Sequence, residues 1–352
     1  MSFLRAVQAI HLEATDKKPQ LETIFHPEFI QNISQVDPYQ NSLKAHVETY
    51  KALDTDITFD FSLNVEAETF TEGEVKYTGY LTHSQWGVGA GIWDWTKRFE
   101  DVDEVIRYDP FEHDPRSLNE MIADFRREKE FHESLMGSSC LVPYFLRSTL
   151  FFYLITVFGW EMTCYTIKDR EKEIKKLIER FANYSIQQAE ALSQLGYDMI
   201  ISHDDIAMAF GLAFSKSWYQ DQIFPWYEKI WQALKKHGTR VVFWSDGKID
   251  SVVEEIFTLG ADGIFLEPMN DIEKIAQQFG KEKIIIGNIN STILTFGDKD
   301  DIRTELKRVF SATRDCPAYI IHAAGGIPHN VPLRNVETYF QLCETYRCEG
   351  WI

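Results

Sequence analysis

Residues 240–247 read RVVFWSDG, and this stretch decides the fold. Its first five residues are largely apolar without polar alternation, a pattern typical of a strand buried on both faces of a parallel sheet. Similar runs recur along the second half of the chain, separated by stretches with helical periodicity. The predicted strands are Asp198–Ser202, Arg240–Trp244, Gly263–Leu266, Lys283–Ile286 and Ala318–Ile321.

Amphipathic helices are predicted between these strands, and a glycine follows each of three of them, as is common after a helix. These pairs are Ser217–His237 with Gly238, Ile249–Leu259 with Gly260, and Ile272–Phe279 with Gly280. Asp169–Leu195 is predicted as a further long helix. Repeated strand–helix units at this spacing predict a parallel α/β fold.

The N-terminal part is less regular. Phe70–Trp95 is rich in glycine, threonine and aromatic residues and predicts a small antiparallel hairpin, while Pro110–Pro115 has the composition of a linker. We predict a single domain over residues 1–352, with residues 1–115 as an extension plus the first barrel elements and 116–352 as the main barrel.

Composition indicates an ordered globular protein, since 44% of the 352 residues are hydrophobic and 26% are charged. The 36 basic and 54 acidic residues give a net charge of −18. This charge argues against nucleic acid as a partner, because a phosphate backbone is bound by an excess of basic residues, which this sequence lacks. The simplest interpretation of this net charge is that it keeps the protein soluble.

The five cysteines are scattered and form no CxxC pair, which argues against a disulfide framework or a thiolate-rich zinc knuckle. A reducing cytoplasm is therefore the expected location. The N-terminal residues contain no apolar run long enough for a signal peptide. Leu141–Tyr165 is the most apolar stretch, but Arg147 and Glu161 interrupt it, so we predict buried core and no membrane partner.

Polar or glycine-bearing groups follow all five predicted strands. In an α/β barrel the carboxyl ends of the strands converge on one mouth, where active sites are built. The side chains expected to face each other there are Asp204, Asp205, Asp246, Glu267 and His322. The alternative is that such residues only cap the following helices, although Glu267 precedes a proline and His322 is a poor cap.

Several carboxylates near an imidazole suit two kinds of chemistry. They can bind a divalent metal through oxygen and nitrogen ligands, which zinc accepts. They can also perform general acid–base catalysis, with mutual repulsion raising one carboxyl pKa. The residue types leave both interpretations open.

Six motifs lie in the last 160 or so residues: GYDMIISHDD (196–205), Ser215–Gly238 with Pro225, WSDG (244–247), GADGIFLEP (260–268), GNIN (287–290) and GGIPHNVPLRNV (325–336). Together with shorter matches near Leu53–Leu63 and Trp86, these motifs resemble the uroporphyrinogen decarboxylase superfamily. The resemblance implies a single (β/α)₈ barrel with its site at the carboxyl-terminal mouth. It also implies relatives of two kinds, porphyrinogen decarboxylases and methyltransferases that work with corrinoids.

The chain departs from the decarboxylase pattern at its key positions. A decarboxylase has an arginine-bearing segment near its N-terminus, whereas here only Arg5 precedes Arg98. The catalytic Asp of that family follows a Phe-Ser pair, but Phe61-Ser62 is followed here by Leu63, and the family's late His falls at Gly325. A substrate with many carboxylates needs cationic partners. Tetrapyrrole decarboxylation is therefore the second hypothesis.

The chain also lacks the zinc ligands of the relatives that methylate coenzyme M, which use a His-x-Cys pair and a later Cys; these positions align with Trp244, Asp246 and Gly325. The resemblance that remains is to methyltransferases that demethylate methyl ethers and pass the methyl group to a corrinoid protein. This is the leading hypothesis, and it predicts a small methoxylated donor, a bound zinc ion and a homodimer. A non-catalytic barrel that binds a tetrapyrrole or corrinoid is the third.

The predicted site follows from this hypothesis. An aromatic methyl ether would fit a pocket lined by aromatic side chains, and a corrinoid protein would need a partly apolar rim at the mouth. Core packing is the alternative for Trp226 and Trp231. The predicted residues are Asp204, Asp205, Asp246, Glu267 and His322 for catalysis, Asp246, Glu267 and His322 for the metal, and His203, Trp244, Asn288, Trp86 and Phe61 for the substrate.

Overall fold

The computed structural model describes residues 2–61 and 99–348, together with the backbone of two short strands between them. The chain forms two compact units. The first unit comprises Met1–Trp93, Glu133–Val142 and Leu266–Ile352, and the second comprises Asp94–His132 and Pro143–Phe265.

A parallel sheet organises the second unit. Its strands, in spatial order, are Gly263–Leu266, Arg240–Trp244, Met199–His203 and Tyr144–Leu146. Three of these strands match the apolar runs of the sequence to within one residue, and their side chains are almost all buried, as expected for strands covered on both faces. The fourth strand, Tyr144–Leu146, lies inside the stretch that we predicted only as buried core.

Helices cover this sheet and break where the sequence supplies a proline or glycine. The predicted helix Ser217–His237 is in fact two helices and a 3₁₀ turn, because Pro225 lies in the first turn of the second helix, where it cannot donate a hydrogen bond to the preceding turn. Gly159 interrupts another helix with a φ of 77°. The helices of this unit are Val102–Arg107, Pro110–His113, Leu118–Met136, Phe151–Asp169, Glu171–Ser193, Lys216–Gln222, Phe224–Leu234 and Val253–Thr258, with the 3₁₀ turn Lys235–His237.

The linker prediction for Pro110–Pro115 is wrong. Asp109 caps a short helix, Pro110–His113, by accepting a hydrogen bond from the amide of Phe111, and Pro110 itself is buried. Proline is favoured in the first turn of a helix because no hydrogen-bond donor is needed there. The prediction of a single domain stays a prediction.

Aromatic side chains fill the core of the second unit. Trp231 is fully buried, stacks on Tyr227 with ring centroids 5.0 Å apart, and donates a hydrogen bond of 2.9 Å to the Ser202 hydroxyl. Trp226 is half-buried, with the Lys229 ammonium 4.1 Å from its ring centroid. Both tryptophans therefore pack within the fold, which agrees with core packing, the alternative given for them from the sequence.

The first unit also contains parallel strand pairs. Ile284–Gly287 pairs with Tyr319–Ile320, and Ile24–Phe25 pairs with Ile327–Pro328. Single parallel bridges join Gln20 to Ile321, Leu21 to Ile57, and Ile57 to Leu141. The helices of this unit are Ser2–Ile10, Pro27–Ser34, Ser42–Ala52, Ile272–Phe279, Ser291–Phe296, Lys299–Ala312 and Leu333–Cys348, with the 3₁₀ turn Gly137–Ser139.

Glycines end two of the predicted helices as expected, since Gly238 and Gly260 have φ values of 92° and 112°. Gly280 differs, with a φ of −62°. A Cβ atom at this position would lie 2.2 Å from the Cys316 sulfur, so close packing explains this glycine.

The predicted N-terminal hairpin is confirmed, because Thr69–Glu72 pairs antiparallel with Val75–Thr78. Within the described part of the chain, no helix has both the length and the apolar character that crossing a bilayer requires. The five cysteines, all at described positions, are not joined by disulfides.

Candidate functional site

Three ionisable side chains meet where two neighbouring strands of the second unit end. His203 is the last residue of Met199–His203, Asp205 follows it, and Asp246 follows Arg240–Trp244. Each offers one ligand atom within 4.8 Å of the other two, and no other group of three possible ligand residues is this close among the residues that the structure describes. We call these three residues the ligand cluster.

His203 is held in one orientation by both ring nitrogens. Its Nδ1 atom is hydrogen-bonded to the backbone carbonyl of Arg147, and its Nε2 atom lies 3.1 Å from Oδ1 of Asp205. Burial opposes a charge on the ring, but the hydrogen bond and charge of Asp205, the Arg147 carbonyl and the charge of Asp246 outweigh it. They raise the pKa of His203 to about 9, so without a metal the ring is cationic near neutral pH.

Asp246 is fixed at its backbone and exposed at its side chain. Its amide donates a hydrogen bond of 2.8 Å to Oδ1 of Asp205. Crowding by surrounding protein atoms and the Asp205 charge raise the pKa of the Asp246 carboxyl to about 6, against the lowering effects of His203 and the Trp244 side chain. The cluster thus combines two carboxylates and an imidazole within reach of solvent.

Aromatic rings surround the imidazole of His203. The ring centroids of Phe145, Phe152 and Trp244 lie 5.3, 5.6 and 5.1 Å from that of His203. Trp244 also stacks on Phe265 at 4.4 Å, with 12° between the ring planes. The apolar wall lowers the local dielectric and strengthens electrostatic interactions at the cluster.

A small hairpin begins two residues after Asp205. Ala207–Met208 pairs antiparallel with Gly211–Leu212, and Phe210, in the turn, is 87% exposed. The loop after Trp244 supports this hairpin, because the amide of Lys248 donates a hydrogen bond of 2.8 Å to the carbonyl of Met208.

The glycine between Asp246 and Lys248 is required by this contact. Gly247 has a φ of 86°, and a Cβ atom there would lie 2.6 Å from the carbonyl oxygen of Met208. Any larger residue would push the hairpin and the Asp246 loop apart.

Asp204, predicted to be catalytic, stands between His203 and Asp205 in the sequence and is fully buried. Its carboxylate accepts hydrogen bonds from the amides of three consecutive residues at the start of a helix and from the Tyr227 hydroxyl. These contacts occupy both of its oxygens and give it a structural task. The three amides that donate to Asp204 are those of Leu150, Phe151 and Phe152.

Three further predicted residues belong to the first unit. Glu267 is half-buried, and its backbone carbonyl accepts hydrogen bonds from the side chains of Asn270 and Asn288. Asn288 is fully buried and also accepts a hydrogen bond of 3.2 Å from Arg308. Phe61 is 7% exposed and packs edge-on against Tyr50.

His322 is also in the first unit and is almost completely buried. Its Nδ1 atom is hydrogen-bonded to the carbonyl of Leu21 and lies 3.9 Å from Oε2 of Glu22. Burial lowers the pKa of His322 to about 4, so the ring is neutral. Neither Glu267 nor His322 belongs to the ligand cluster. Trp86, the remaining predicted residue, lies outside the described residues.

Two residues of interest were not predicted. Glu22 is fully buried, and its Oε1 atom accepts hydrogen bonds from Gln20 and Tyr339. Burial raises the pKa of Glu22 to about 8, despite these hydrogen bonds, that of the Ala323 amide and the charge of Arg347. Arg147 follows the strand Tyr144–Leu146. Had that strand been predicted, Arg147 would have been a candidate too, because polar residues just after the strands of a barrel lie at its active-site mouth, which we call the strand-end rule.

The donor set of the ligand cluster fits a zinc ion. Two ligands about 2.1 Å from one tetrahedral zinc are roughly 3.4 Å apart, close to the separation between His203 and Asp205. A metal-bound imidazole usually donates its other N–H to a carbonyl or carboxylate, as Nδ1 of His203 does with Arg147. A metal here would use Asp246 from the predicted set, with His203 and Asp205 as its partners.

Comparison with solved structures shows the fold. A structure described as "methyltransferase from Methanosarcina mazei" matches with a TM-score of 0.64 over 98% of both chains, at 14% sequence identity. This likeness confirms the predicted α/β fold of the (β/α)₈ barrel type.

Two curated relatives, both named uroporphyrinogen decarboxylase, match about half of the chain. The protein of Pelobacter propionicus is 25% identical over 168 residues, 48% of each chain. That of Aromatoleum aromaticum is 25% identical over 189 residues, 49% of this chain and 52% of its own. The chain thus spans about half the length of these relatives. The model of the family "Uroporphyrinogen decarboxylase (URO-D)" matches residues 99–346, which is more than half of the sequence. The chain therefore belongs to the uroporphyrinogen decarboxylase family.

Proposed function

We propose that this protein is a methyltransferase that moves a methyl group from a small methoxylated compound, such as an aromatic methyl ether, to the cobalt of a corrinoid carried by a partner protein. The observation that supports this proposal is the ligand cluster in its aromatic surroundings at the ends of adjacent strands. The fold shared with a protein named methyltransferase is consistent with it.

The chemistry requires help for the departing oxygen. The bond between the methyl carbon and the ether oxygen breaks, the oxygen keeps the electron pair, and reduced cobalt supplies the pair for the new bond to carbon. A zinc ion bound by His203, Asp205 and Asp246 would supply Lewis acidity to that oxygen.

The protein's own residues would position and shield this reaction. The Arg147 carbonyl fixes the imidazole of His203, and the Asp246 amide fixes the carboxylate of Asp205. The aromatic rings around His203, among them Trp244 stacked on Phe265, would keep water away from one side of the reaction. General acid catalysis by the same carboxylates is the alternative mechanism, and removal of metal separates the two.

A corrinoid protein must approach the cluster for the methyl group to be transferred. The hairpin that begins two residues after Asp205 carries the exposed ring of Phe210, which gives this side of the site an apolar point of contact. The five unpaired cysteines and the need for reduced cobalt favour the cytoplasm. A homodimer stays a prediction.

Tetrapyrrole decarboxylation is the alternative function, favoured by the names of the two curated relatives. The second alternative, a barrel that binds a tetrapyrrole or corrinoid without catalysis, would need neither metal nor turnover. The three functions differ in what they consume, so one set of assays distinguishes them.

The test is an assay of methyl transfer from a panel of methoxyaromatic compounds to cob(I)alamin, with purified protein before and after chelation and zinc restoration. We expect zinc-dependent transfer that falls by about 100-fold or more in Asp246→Asn, because a ligand is weakened. Asp221→Asn, an exposed carboxylate on the helix Lys216–Gln222, is the matched control.

Other results of the same assays would overturn the proposal. Turnover of a porphyrinogen without methyl transfer would establish the decarboxylase function. Tight binding of a tetrapyrrole, with neither zinc binding nor turnover of any donor, would establish the binding module. Transfer that survives complete removal of metal would exclude the zinc mechanism while keeping the methyltransferase.

A further inference from the structure

Strand register places Arg147 in line with the proposed site. Leu146 is paired with Ser202, so the next residue, Arg147, stands level with His203. His203 is in turn paired with Trp244 on the neighbouring strand. Arg147, His203 and Trp244 therefore occupy one row across the ends of three adjacent strands.

The side chain of Arg147 lies on the same face of the sheet as the cluster. Side chains alternate between faces along a strand, so Phe145 and Arg147 share a face. The guanidinium carbon of Arg147 is 5.4 Å from the ring centroid of Phe145, and that ring lies 5.3 Å from the imidazole of His203. A cation thus stands at the edge of the aromatic surroundings of His203.

This cation has no acidic partner among the residues that the structure describes. In residues 2–61 and 99–348, no carboxylate lies within 4.0 Å of its guanidinium nitrogens. Its side chain is exposed, while its backbone carbonyl is engaged by His203. An unpaired guanidinium presents N–H donors in the geometry that suits a carboxylate bidentately.

We infer that the methyl donor carries a carboxylate and that Arg147 binds it at the edge of the aromatic surroundings of His203. This inference rests on the proposed function and specifies its substrate class as methoxylated carboxylic acids. Arg147 is then a specificity-determining residue, because it selects anionic donors without taking part in methyl transfer.

The test is a binding measurement that needs no methyl acceptor. Isothermal titration compares the three positional isomers of methoxybenzoate with the matching neutral methoxybenzamides, using the full chain. We expect at least one isomer of the acid to bind about ten times more tightly than its amide. Arg147→Gln should remove this preference, and Arg147→Lys should keep part of it, because the charge remains but the planar fork is lost.

Arg127→Gln is the control, since Arg127 is an exposed arginine on the helix Leu118–Met136. It should leave the preference for the acid unchanged. Because the His203 contact uses the backbone carbonyl of Arg147, the variants at this position should retain the zinc affinity of the wild-type protein, which serves as the check that the site remains intact.

The outcomes separate this inference from the proposed function. Methyl transfer from neutral and acidic donors at equal rates, with equal binding, would overturn the role of Arg147 and leave the methyltransferase standing. An Arg147-dependent preference for the acids, with no methyl transfer from any donor, would retain the anion site and remove the methyltransferase. Equal binding of acid and amide to the wild-type protein contradicts the inference in every case.

Discussion

The Nε2 atom of His203 lies 3.1 Å from the Oδ1 atom of Asp205, so two groups that attract each other as ions are also spaced as two ligands of one metal. Which use the protein makes of them depends on whether a metal is supplied. A bound zinc must displace the proton of the imidazole, because only the neutral ring is a ligand.

Asp205→Asn should weaken zinc binding by at least tenfold. The amide oxygen can still accept the hydrogen bond from the Asp246 backbone, but the negative charge is lost. A competition titration with a chromogenic chelator measures the affinity, and Asp221→Asn provides the comparison. Unchanged affinity would show that Asp205 is not a ligand.

Asp204→Ala should destabilise the protein strongly. It leaves three backbone N–H groups and the Tyr227 hydroxyl without their acceptor, for which we expect a loss of about 3 kcal/mol in the free energy of unfolding. Tyr227→Phe removes one of these bonds and should cost about 1 kcal/mol. Urea unfolding checks both values. If Asp204→Asn abolished methyl transfer at unchanged stability and unchanged zinc affinity, Asp204 would be catalytic after all.

The buried Glu22 should make stability fall as the pH rises above about 6.5. Its pKa is raised to about 8 in the folded protein, so between pH 4.5 and 8 the folded state binds more protons than the unfolded state and loses stability with increasing pH. His322 acts in the opposite direction between about pH 4 and 6.5, because its folded pKa is lowered to about 4. The two effects oppose each other below pH 6.5. Above it, the effect of Glu22 acts in the same direction as that of His203, whose folded pKa of about 9 also makes stability fall as the pH rises.

Glu22→Gln should therefore flatten the decline in melting temperature between pH 6.5 and 8. The amide oxygen still accepts the hydrogen bonds of Gln20 and Tyr339, so the fold is preserved. Glu337→Gln, an exposed carboxyl on the same helix as Tyr339, is the control. Parallel curves for wild-type and Glu22→Gln protein would refute the assignment.

Phe210→Ser should slow methyl transfer to a corrinoid protein without changing methyl transfer to free cob(I)alamin. Because Phe210 is 87% exposed, removing its ring should leave the fold and the transfer to free cob(I)alamin unchanged. Transfer to a corrinoid protein should slow about tenfold, through a raised KM, since an apolar contact is lost. Steady-state kinetics with each acceptor provide the measurement, and equal rates with the corrinoid protein would exclude this hairpin from the interface.

Three of the four strands of the second unit could be predicted, because apolar runs without polar alternation are typical of strands buried on both faces. Arg240–Trp244 and Gly263–Leu266 begin and end at the predicted residues. Tyr144–Leu146 could not be found in this way, because a short strand within a long apolar stretch has no pattern of its own. Arg147 was missed as a site residue for the same reason.

The site was only partly predictable. Asp205, Asp246 and His203 come together because they follow paired strands, which the strand-end rule anticipates. Asp204 and His322 follow strands as well, but their side chains are buried and bonded within the protein. Adjacent residues after a strand point in different directions, and sequence alone does not show which of them faces the cluster.

The close approach at Gly247 has a mechanical consequence. The peptide after Asp246 and the base of the hairpin that bears Phe210 touch without a side chain between them. A displacement of the hairpin would therefore be expected to move the main chain of the Asp246 loop, because the two are in direct main-chain contact. Under the proposed function, a protein docking on Phe210 would shift the loop that carries Asp246, so arrival of the acceptor and readiness of the donor would be coupled events.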